Sequence, residues 1–122
     1  MRFTEDASSA VNLIRSYGPG EIRINEQSIR DTVILSATEL LIEPGLHSVA
    51  DLGAAQHARM RSLEPELVLV GSGPRQIFPD NSFGALFLRE RIGYEVMDTG
   101  AACRTFNVLV SEGRRVVAVL LL

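Results

Sequence analysis

Short runs of alternating apolar and polar residues fill the chain up to Pro44 and Gly45. The alternation is clearest at Ile22 and Ile24, whose neighbours are polar, and this two-residue period is typical of a strand with one buried face. Turn-forming residues separate the runs, including a turn at residues 25–27. The pattern predicts an antiparallel meander with strands at residues 11–15, 21–25, 32–36 and 39–43.

From Ser48 the apolar spacing lengthens to three and four residues, which is the helical period. The Ser48 side chain and the acidic Asp51 three positions later match a helix N-terminus, and Pro65 marks the latest point at which this helix can end. The unbroken apolar run at residues 67–70 is typical of a strand that is covered on both faces. This part of the chain predicts one helix followed by one buried strand.

The rest of the chain alternates helices with strands. A helix with its N-cap among residues 80–82 is predicted to stop at Gly93, and a strand follows at residues 94–97. The clearest helix comes next and is closed by Gly113, after which the apolar residues 116–122 predict a buried strand. The first of these helices has an apolar stripe formed by Phe83, Leu86, Phe87 and Ile92. The second has one formed by Ala102, Cys103, Phe106, Leu109 and Val110.

The order strand, helix, strand, helix, strand favours right-handed crossovers and at least partly parallel pairing. The sequence therefore predicts an α/β fold of mixed α+β character. Its central sheet is mixed, with parallel strands and crossover helices, and the N-terminal antiparallel β meander is added to it. The whole chain, residues 1–122, is predicted to form a single domain.

Composition indicates a folded protein and suggests its compartment. The chain is 46% hydrophobic and 22% charged, which is ordinary for a globular domain. Its single cysteine, Cys103, cannot close an internal disulfide, and this favours a reducing compartment. Residues 1–6 lack the features of a secretory signal, and the apolar tail at residues 116–122 is far shorter than the roughly 20 residues of a spanning helix. We therefore expect a cytoplasmic protein without a transmembrane segment.

The charges narrow the possible functions. The net charge is -3 at neutral pH, so the chain as a whole does not attract nucleic acid, and no nucleic-acid partner is predicted. All 12 basic residues are arginine, which excludes Schiff-base chemistry and the phosphate-binding lysine of a P-loop. The basic clusters at residues 59–61 and 89–91 are interpreted as solvated helix faces.

Two glycine-bearing loops are the candidate ligand site. Each follows a predicted strand of the central sheet, and the carboxyl ends of parallel strands form the edge where ligands usually bind. Glycine lets backbone amides approach an anion, and a helix N-terminus has amides without an internal partner. Arginine and asparagine side chains nearby would add polar contacts. The candidate crevice consists of Gly71, Ser72, Gly73, Arg75, Asp98, Thr99, Gly100, Arg104 and Asn107.

A purely structural interpretation stands beside this one. The glycines can simply supply the backbone conformation of a tight turn, and Asp98 or Thr99 can cap the helix that would otherwise bind an anion. Arg104 and Asn107 can equally form a solvated or interface-facing polar stripe.

Other chemistry finds little support. Ser72 lacks the glycine spacing of a nucleophile elbow, and Gln76 stands where a dinucleotide fingerprint needs its third glycine. Cys103 lies at the edge of an apolar stripe and is interpreted as a buried structural thiol. His47 and His57 have no accompanying ligand set, so no metal site is predicted, nor any cofactor. No catalytic residue is assigned.

Beyond these separate features, a longer pattern resembles a known family. It comprises the glycine turn at residues 70–73, Pro79, residues 96–109 and residues 112–116. It is similar to the adipogenesis-associated Mth domain family, which includes a mitochondrial respiratory complex I assembly factor. Ser72 differs from the threonine common at the first turn, although a hydroxyl remains. The resemblance implies a three-layer fold and no assigned activity, especially for bacterial members.

Two functional hypotheses follow. The preferred one is a non-catalytic protein-interaction or assembly-type module, binding an unidentified protein partner through an apolar patch near the helix at residues 99–112. The alternative is a protein or enzyme that binds a small anionic ligand in the candidate crevice. The sequence does not indicate the oligomeric state.

Overall fold

Two β-sheets and three helices make up residues 11–122, the part of the chain that this computed structural model describes. The prediction that residues 1–6 lack the features of a secretory signal concerns a segment outside the described residues. The strands are β1 (Ile14–Gly18), β2 (Glu21–Ile24), β3 (Gln27–Ile29), β4 (Thr32–Leu35), β5 (Leu40–Glu43), β6 (Leu67–Gly71), β7 (Gly93–Met97) and β8 (Val116–Leu120). The helices are α1 (Ala54–Arg61), α2 (Asn81–Arg89) and α3 (Thr99–Ser111).

The larger sheet is mixed, as the sequence predicted. Its strand order is β5-β4-β8-β6-β7. Strand β6 pairs in parallel with both β7 and β8, whereas β4 pairs antiparallel with β5 and β8. Helices α2 and α3 connect β6 to β7 and β7 to β8 and lie on opposite faces of the sheet. The first crossover moves from β6 to the sheet edge at β7, and the second returns across β6 to β8. Two crossovers that move in opposite directions across a sheet and have the same hand must lie on opposite faces.

The predicted N-terminal meander is divided between the two sheets. Strands β1, β2 and β3 form a separate antiparallel sheet, while β4 and β5 join the larger one through β8. The β3 strand was missed because it has only three residues, too few to display an alternating pattern. A two-residue turn joins it to β2, and Asn25 in this turn takes the left-handed conformation (φ 52°) that asparagine tolerates.

Two apolar cores give the molecule three layers. On one face of the larger sheet, α1 and α2 cover a core that includes Met60, Phe83 and Phe87. On the other face, α3 and the small sheet cover a second core that includes Ile22 and Phe106. All five residues of β8 are buried between these layers. The three-layer arrangement implied by the family resemblance is therefore confirmed.

The first predicted helix is interrupted by Gly53. Ser48 and Asp51 form the predicted capping box, but they cap only a short 3-10 turn at Val49–Asp51. The chain then becomes extended at Leu52 and Gly53 before α1 begins. The helical spacing across this segment therefore conceals a break at a residue with low helix propensity.

Gly93 does not stop the second predicted helix. Helix α2 ends at Arg89, and the chain reverses at Arg91, whose φ is 61°. Gly93 is the first residue of β7, where a Cβ atom would lie 2.7 Å from Leu67 Cδ1. A side chain at this position would displace the end of Leu67, so the small size of Gly93 suits strand packing rather than helix termination.

Candidate functional site

The two glycine-bearing loops leave the same edge of the larger sheet, as predicted. Gly71, the last residue of β6, lies opposite Met97, the last residue of the parallel strand β7. The amide of Ser72 donates a hydrogen bond to Met97 O across 2.9 Å. The loops are therefore direct neighbours.

Thr99 joins the two loops from a fully buried position. Its amide donates to Gly73 O (2.8 Å), while its hydroxyl accepts from Gly73 N (2.7 Å) and donates to Leu121 O (2.6 Å). One threonine thus holds both loops and the end of the last strand together. We call this set of contacts the junction.

Helix α3 packs directly on Gly71 at the junction. A Cβ atom at Gly71 would lie 3.1 Å from each of Ala102 Cβ, Leu120 Cδ2 and Thr99 Cα. The absence of a side chain is therefore what lets the first turn of α3 approach the sheet. Protein atoms occupy the space directly above this glycine.

The Ser72 hydroxyl is also engaged within the chain. It donates to Arg75 O (2.6 Å), lies 3.1 Å from Met97 O and accepts from Ile77 N (3.0 Å). A hydroxyl has one proton, so the shorter contact with Arg75 takes it. The hydroxyl acts as a brace for the following loop, and ligand binding by Ser72 or by the junction remains a prediction that would require breaking these hydrogen bonds.

Asp98 caps α3, which was the structural alternative for this residue. Its Oδ1 atom accepts from Ala101 N across 2.8 Å. The amide of Gly100, one position earlier, has no hydrogen-bond partner among residues 11–122. One backbone donor at the start of α3 is therefore still available.

Asn107 binds the small sheet rather than facing the junction. Its Oδ1 atom accepts from Ile14 N (2.9 Å), and its Nδ2 atom donates to Ile14 O (2.8 Å). The amide side chain therefore pairs with β1 as a neighbouring strand would. These two hydrogen bonds attach the small sheet to α3.

Arg104 lies over the first turn of α3. Its Nη1 atom is 3.6 Å from the position that a Cβ atom of Gly100 would take. The side chain is exposed, and within residues 11–122 it forms no ion pair.

A cleft of about 310 Å³ lies between β1 and α3, beside the point where Asn107 joins them. It brings together three of the predicted site residues, Gly100, Arg104 and Asn107, but Arg75 is not among its lining residues. The remaining lining residues are Ile14, Arg15, Ser16, Tyr17 and Cys103. We call this space the β1–α3 cleft.

Two polar residues of this cleft, Arg15 and Tyr17, were missed by the sequence analysis. Both lie on β1, more than eighty positions before α3 in the chain. Nothing in the spacing of the sequence indicates that β1 docks on α3. Burial raises the pKa of the Tyr17 phenol, so this group stays protonated at neutral pH.

Cys103 is buried, as predicted, at the inner wall of the cleft. Burial raises the pKa of its thiol to about 12, and the nearby Arg104 lowers it only in part. The reactive thiolate form is therefore almost absent at neutral pH.

The two histidines lie elsewhere in the fold. His57 Nε2 is 2.9 Å from Glu90 Oε1, and this contact joins α1 to the end of α2. Within residues 11–122, no three or more histidine, cysteine or acidic side chains converge as a metal site would require.

The mixed sheet lies between two layers, so the molecule is a three-layer α/β domain. Internal hydrogen bonds hold its polar loops, and no catalytic group is assigned to them. Residues 14–121 match the family described as "Protein of unknown function (DUF498/DUF598)", and the chain belongs to this family.

The relatives agree with this assignment. A crystal structure of a Bordetella parapertussis protein is 34% identical, with a TM-score of 0.84, and the match covers 92% of this chain and 96% of that one. A Bordetella pertussis protein described as a Mth938-like domain is 29% identical, with a TM-score of 0.79, and the match covers 99% of this chain and 92% of that one. The predicted membership of the Mth domain family is therefore confirmed.

Membrane-related names occur among the relatives. The "13 kDa major membrane protein" of Francisella tularensis subsp. holarctica (strain LVS) is 24% identical over 122 residues, with 99% of both chains covered. Within residues 11–122 of the present chain, no helix is long and apolar enough to cross a membrane.

Proposed function

We propose that this protein is a protein-binding module and that residues 74–78 are its main docking element. We call this segment the exposed loop. The observation that carries the proposal is the exposure of two large apolar side chains, with Ile77 45% exposed and Phe78 65% exposed.

Hydrogen bonds hold the exposed loop in place. The Ser72 hydroxyl contacts its backbone at Arg75 and Ile77, and Gln76 Nε2 donates to Val96 O across 3.0 Å. A loop that is already ordered loses little conformational entropy when a partner binds. The structural role of Ser72 thus supports binding by its neighbours.

Burial of Phe78 would provide the driving force. Removing a phenylalanine side chain from water contributes roughly 1.5–3 kcal/mol. Aromatic side chains that fill a pocket of the partner often dominate an interface. Arg75 is exposed in the same loop, so the partner surface we propose is an apolar pocket with an acidic rim.

The apolar patch predicted near α3 is a less favourable docking element. Its exposed large apolar side chain is Val108, which is 54% exposed and has exposed polar residues at positions 104, 111 and 112 around it. The exposed loop leaves the edge of the sheet at which α3 begins, so a partner bound there would still lie near this helix.

Matched substitutions distinguish the two surfaces. A photo-crosslinking residue next to the loop, in place of the exposed Asn81, is used to capture the partner in cells, and Phe78→Ser is then compared with Val108→Ser. We expect Phe78→Ser to reduce complex formation by about tenfold or more, since a hot-spot residue contributes 2 kcal/mol or more. Val108→Ser should leave complex formation intact.

The opposite result would assign binding to α3. Loss with Val108→Ser and retention with Phe78→Ser would contradict the proposed loop. Both side chains are exposed, so thermal unfolding of the two variants should match that of the parent protein.

The assembly-type role and the cytoplasmic location are part of the same proposal. The family resemblance supports the assembly-type role. The single unpaired cysteine, whose thiol is protonated, supports the cytoplasmic location. Cell fractionation should recover the protein with the cytosol. Recovery with membranes after a high-salt wash would contradict the location and agree with the name of the Francisella relative.

A further inference from the structure

The β1–α3 cleft has a local charge opposite to that of the whole protein. The net charge of the chain is -3, yet Arg15 and Arg104 line the cleft and no aspartate or glutamate is among its lining residues. Neither arginine forms an ion pair within residues 11–122. The charged residues that line the cleft are therefore both cationic, and they lie on facing elements.

The walls of the cleft are fixed by contacts that do not use these charges. Asn107 attaches β1 to α3 through both polar atoms of its side chain. Asp98 caps α3 through its Oδ1 atom, and its negative charge, which also acts on Tyr17 and Cys103, offsets part of the charge of the two arginines. The spacing of the two arginine-bearing elements is thus set before any ligand arrives, which lowers the cost of binding.

Gly100 adds a backbone donor to this cleft. Its amide has no hydrogen-bond partner among the described residues, and the residue lines the cleft. Packing does not require glycine here: a Cβ atom would lie 3.4 Å from Asp98 Oδ1, 3.6 Å from Arg104 Nη1 and 3.7 Å from Tyr17 Cδ2, which are ordinary contacts. A methyl group at this position would therefore fit, but it would take up space beside the unpartnered amide.

We propose that the β1–α3 cleft binds the oxyanion group of a small molecule, a carboxylate or a phosphate, between the guanidinium groups of Arg15 and Arg104. Guanidinium groups match the geometry of both oxyanions and bind them through paired hydrogen bonds. The Gly100 amide supplies a further donor, and the Tyr17 ring forms an apolar wall for the rest of the ligand. The volume of about 310 Å³ suits a small metabolite.

This site is separate from the proposed protein-binding loop. None of residues 74–78 lines the cleft. Phe78→Ser should therefore leave anion binding unchanged, and substitutions in the cleft should leave binding of the protein partner unchanged. Failure of one proposal does not affect the other.

The test is an NMR titration of the full chain with inorganic phosphate and, separately, with sodium acetate. Sodium chloride at equal ionic strength serves as the control. We expect saturable shifts of the Gly100 amide with at least one of the two probes. Stronger binding of phosphate or of acetate identifies which oxyanion the site prefers.

Matched arginine substitutions localise the binding. Arg104→Gln and Arg15→Gln should each raise the dissociation constant by about tenfold, which is the usual effect of losing a charged hydrogen bond. Arg75→Gln removes the same charge from another exposed position and should leave the affinity unchanged. Gly100→Ala fills part of the cleft and should weaken binding without lowering the thermal stability.

Three results would overturn the proposal. The first is the absence of saturable shifts with either probe. The second is equal weakening by Arg75→Gln and Arg104→Gln, which would indicate an adventitious ion only. The third is unchanged affinity in Gly100→Ala and Arg15→Gln, which decide the question if Arg104→Gln does not fold.

Discussion

At the scale of single residues, the hydroxyl groups of the candidate crevice form hydrogen bonds with backbone groups of the protein itself. The Thr99 hydroxyl bridges Gly73 N and Leu121 O, and the Ser72 hydroxyl braces the chain from Arg75 to Ile77. Buried backbone donors and acceptors need such partners, because leaving one unpaired costs about 1–3 kcal/mol. The polar residues at this edge of the sheet therefore have a demonstrable structural role.

Replacing Thr99 by valine should destabilise the protein strongly. The shape is conserved, but the buried Gly73 amide and Leu121 carbonyl lose their partner. We expect the free energy of unfolding to fall by roughly 2–4 kcal/mol, measured by urea denaturation.

Thr105→Val is the matched control for this change. The Thr105 hydroxyl makes only a weak contact, 3.4 Å long, with Met97 Sδ. Its loss should cost less than about 1 kcal/mol. Equal destabilisation by the two substitutions would show that the junction does not depend on the Thr99 hydroxyl.

At the scale of elements, α3 organises the molecule. Its first turn packs on β6 at Gly71, its inner face covers the larger sheet, and Asn107 attaches β1. The helix thus connects the larger sheet to the small one. It also forms one wall of the β1–α3 cleft.

Removing the Asn107 side chain should loosen the small sheet selectively. Asn107→Ala leaves Ile14 N and Ile14 O without these partners, at a cost of about 1–3 kcal/mol. Hydrogen exchange measured by mass spectrometry should accelerate in β1, β2 and β3 and remain slow in β6 and β8.

Ser111→Ala provides the control on the same helix. The Ser111 hydroxyl is exposed and bonds only to Val108 O within α3. Exchange in the small sheet should not change in this variant. Uniform acceleration of both sheets in Asn107→Ala would mean that the two sheets unfold as one unit.

At the scale of the whole molecule, ion pairs between distant segments make the stability depend on pH. Glu66 contacts Arg114 and Arg115, and Glu90 contacts His57 and Arg61. Hydrogen bonds, from the Arg115 backbone and from the His57 side chain respectively, are the main reason that the pKa of each glutamate lies below its ordinary value of 4.5. Each carboxylate therefore favours the folded state when it is ionised.

Stability should consequently fall in acid. A glutamate with a lowered pKa in the folded state contributes its full stabilisation above the unfolded-state pKa near 4.5, and this contribution is lost as the pH falls through the lower folded-state value. Chemical denaturation over a pH series should show this loss, and Glu66→Gln with Glu90→Gln should reduce the slope.

Glu95→Gln is the control for the pH series. Glu95 is exposed on β7 and forms no ion pair within the described residues. The variant should keep the pH dependence of the parent protein. An unchanged slope in the double variant would locate the acid sensitivity in other carboxylates.

The sequence by itself determined the local elements, because their signals lie within a few neighbouring residues. The start of α3 near Asp98 and Thr99 and its end at Gly113 (φ 76°) belong to this class, as do the apolar runs of β6 and β8 and the family resemblance. Which of the two residues caps the helix was left open by the sequence. The common edge shared by the two loops also followed from the order of strands and helices.

Only the tertiary structure decided which edges pair and which polar groups remain available. The pairing of β4 with β8, the attachment of Ile14 by Asn107, and the meeting of Arg15 with Arg104 each join residues that are more than eighty positions apart. Such contacts depend on how whole layers pack against each other. The periodicity of a short stretch of sequence predicts a helix or a strand, but not which distant element it will contact. The same packing placed Thr99 inside the junction and Gly100 in the wall of the cleft.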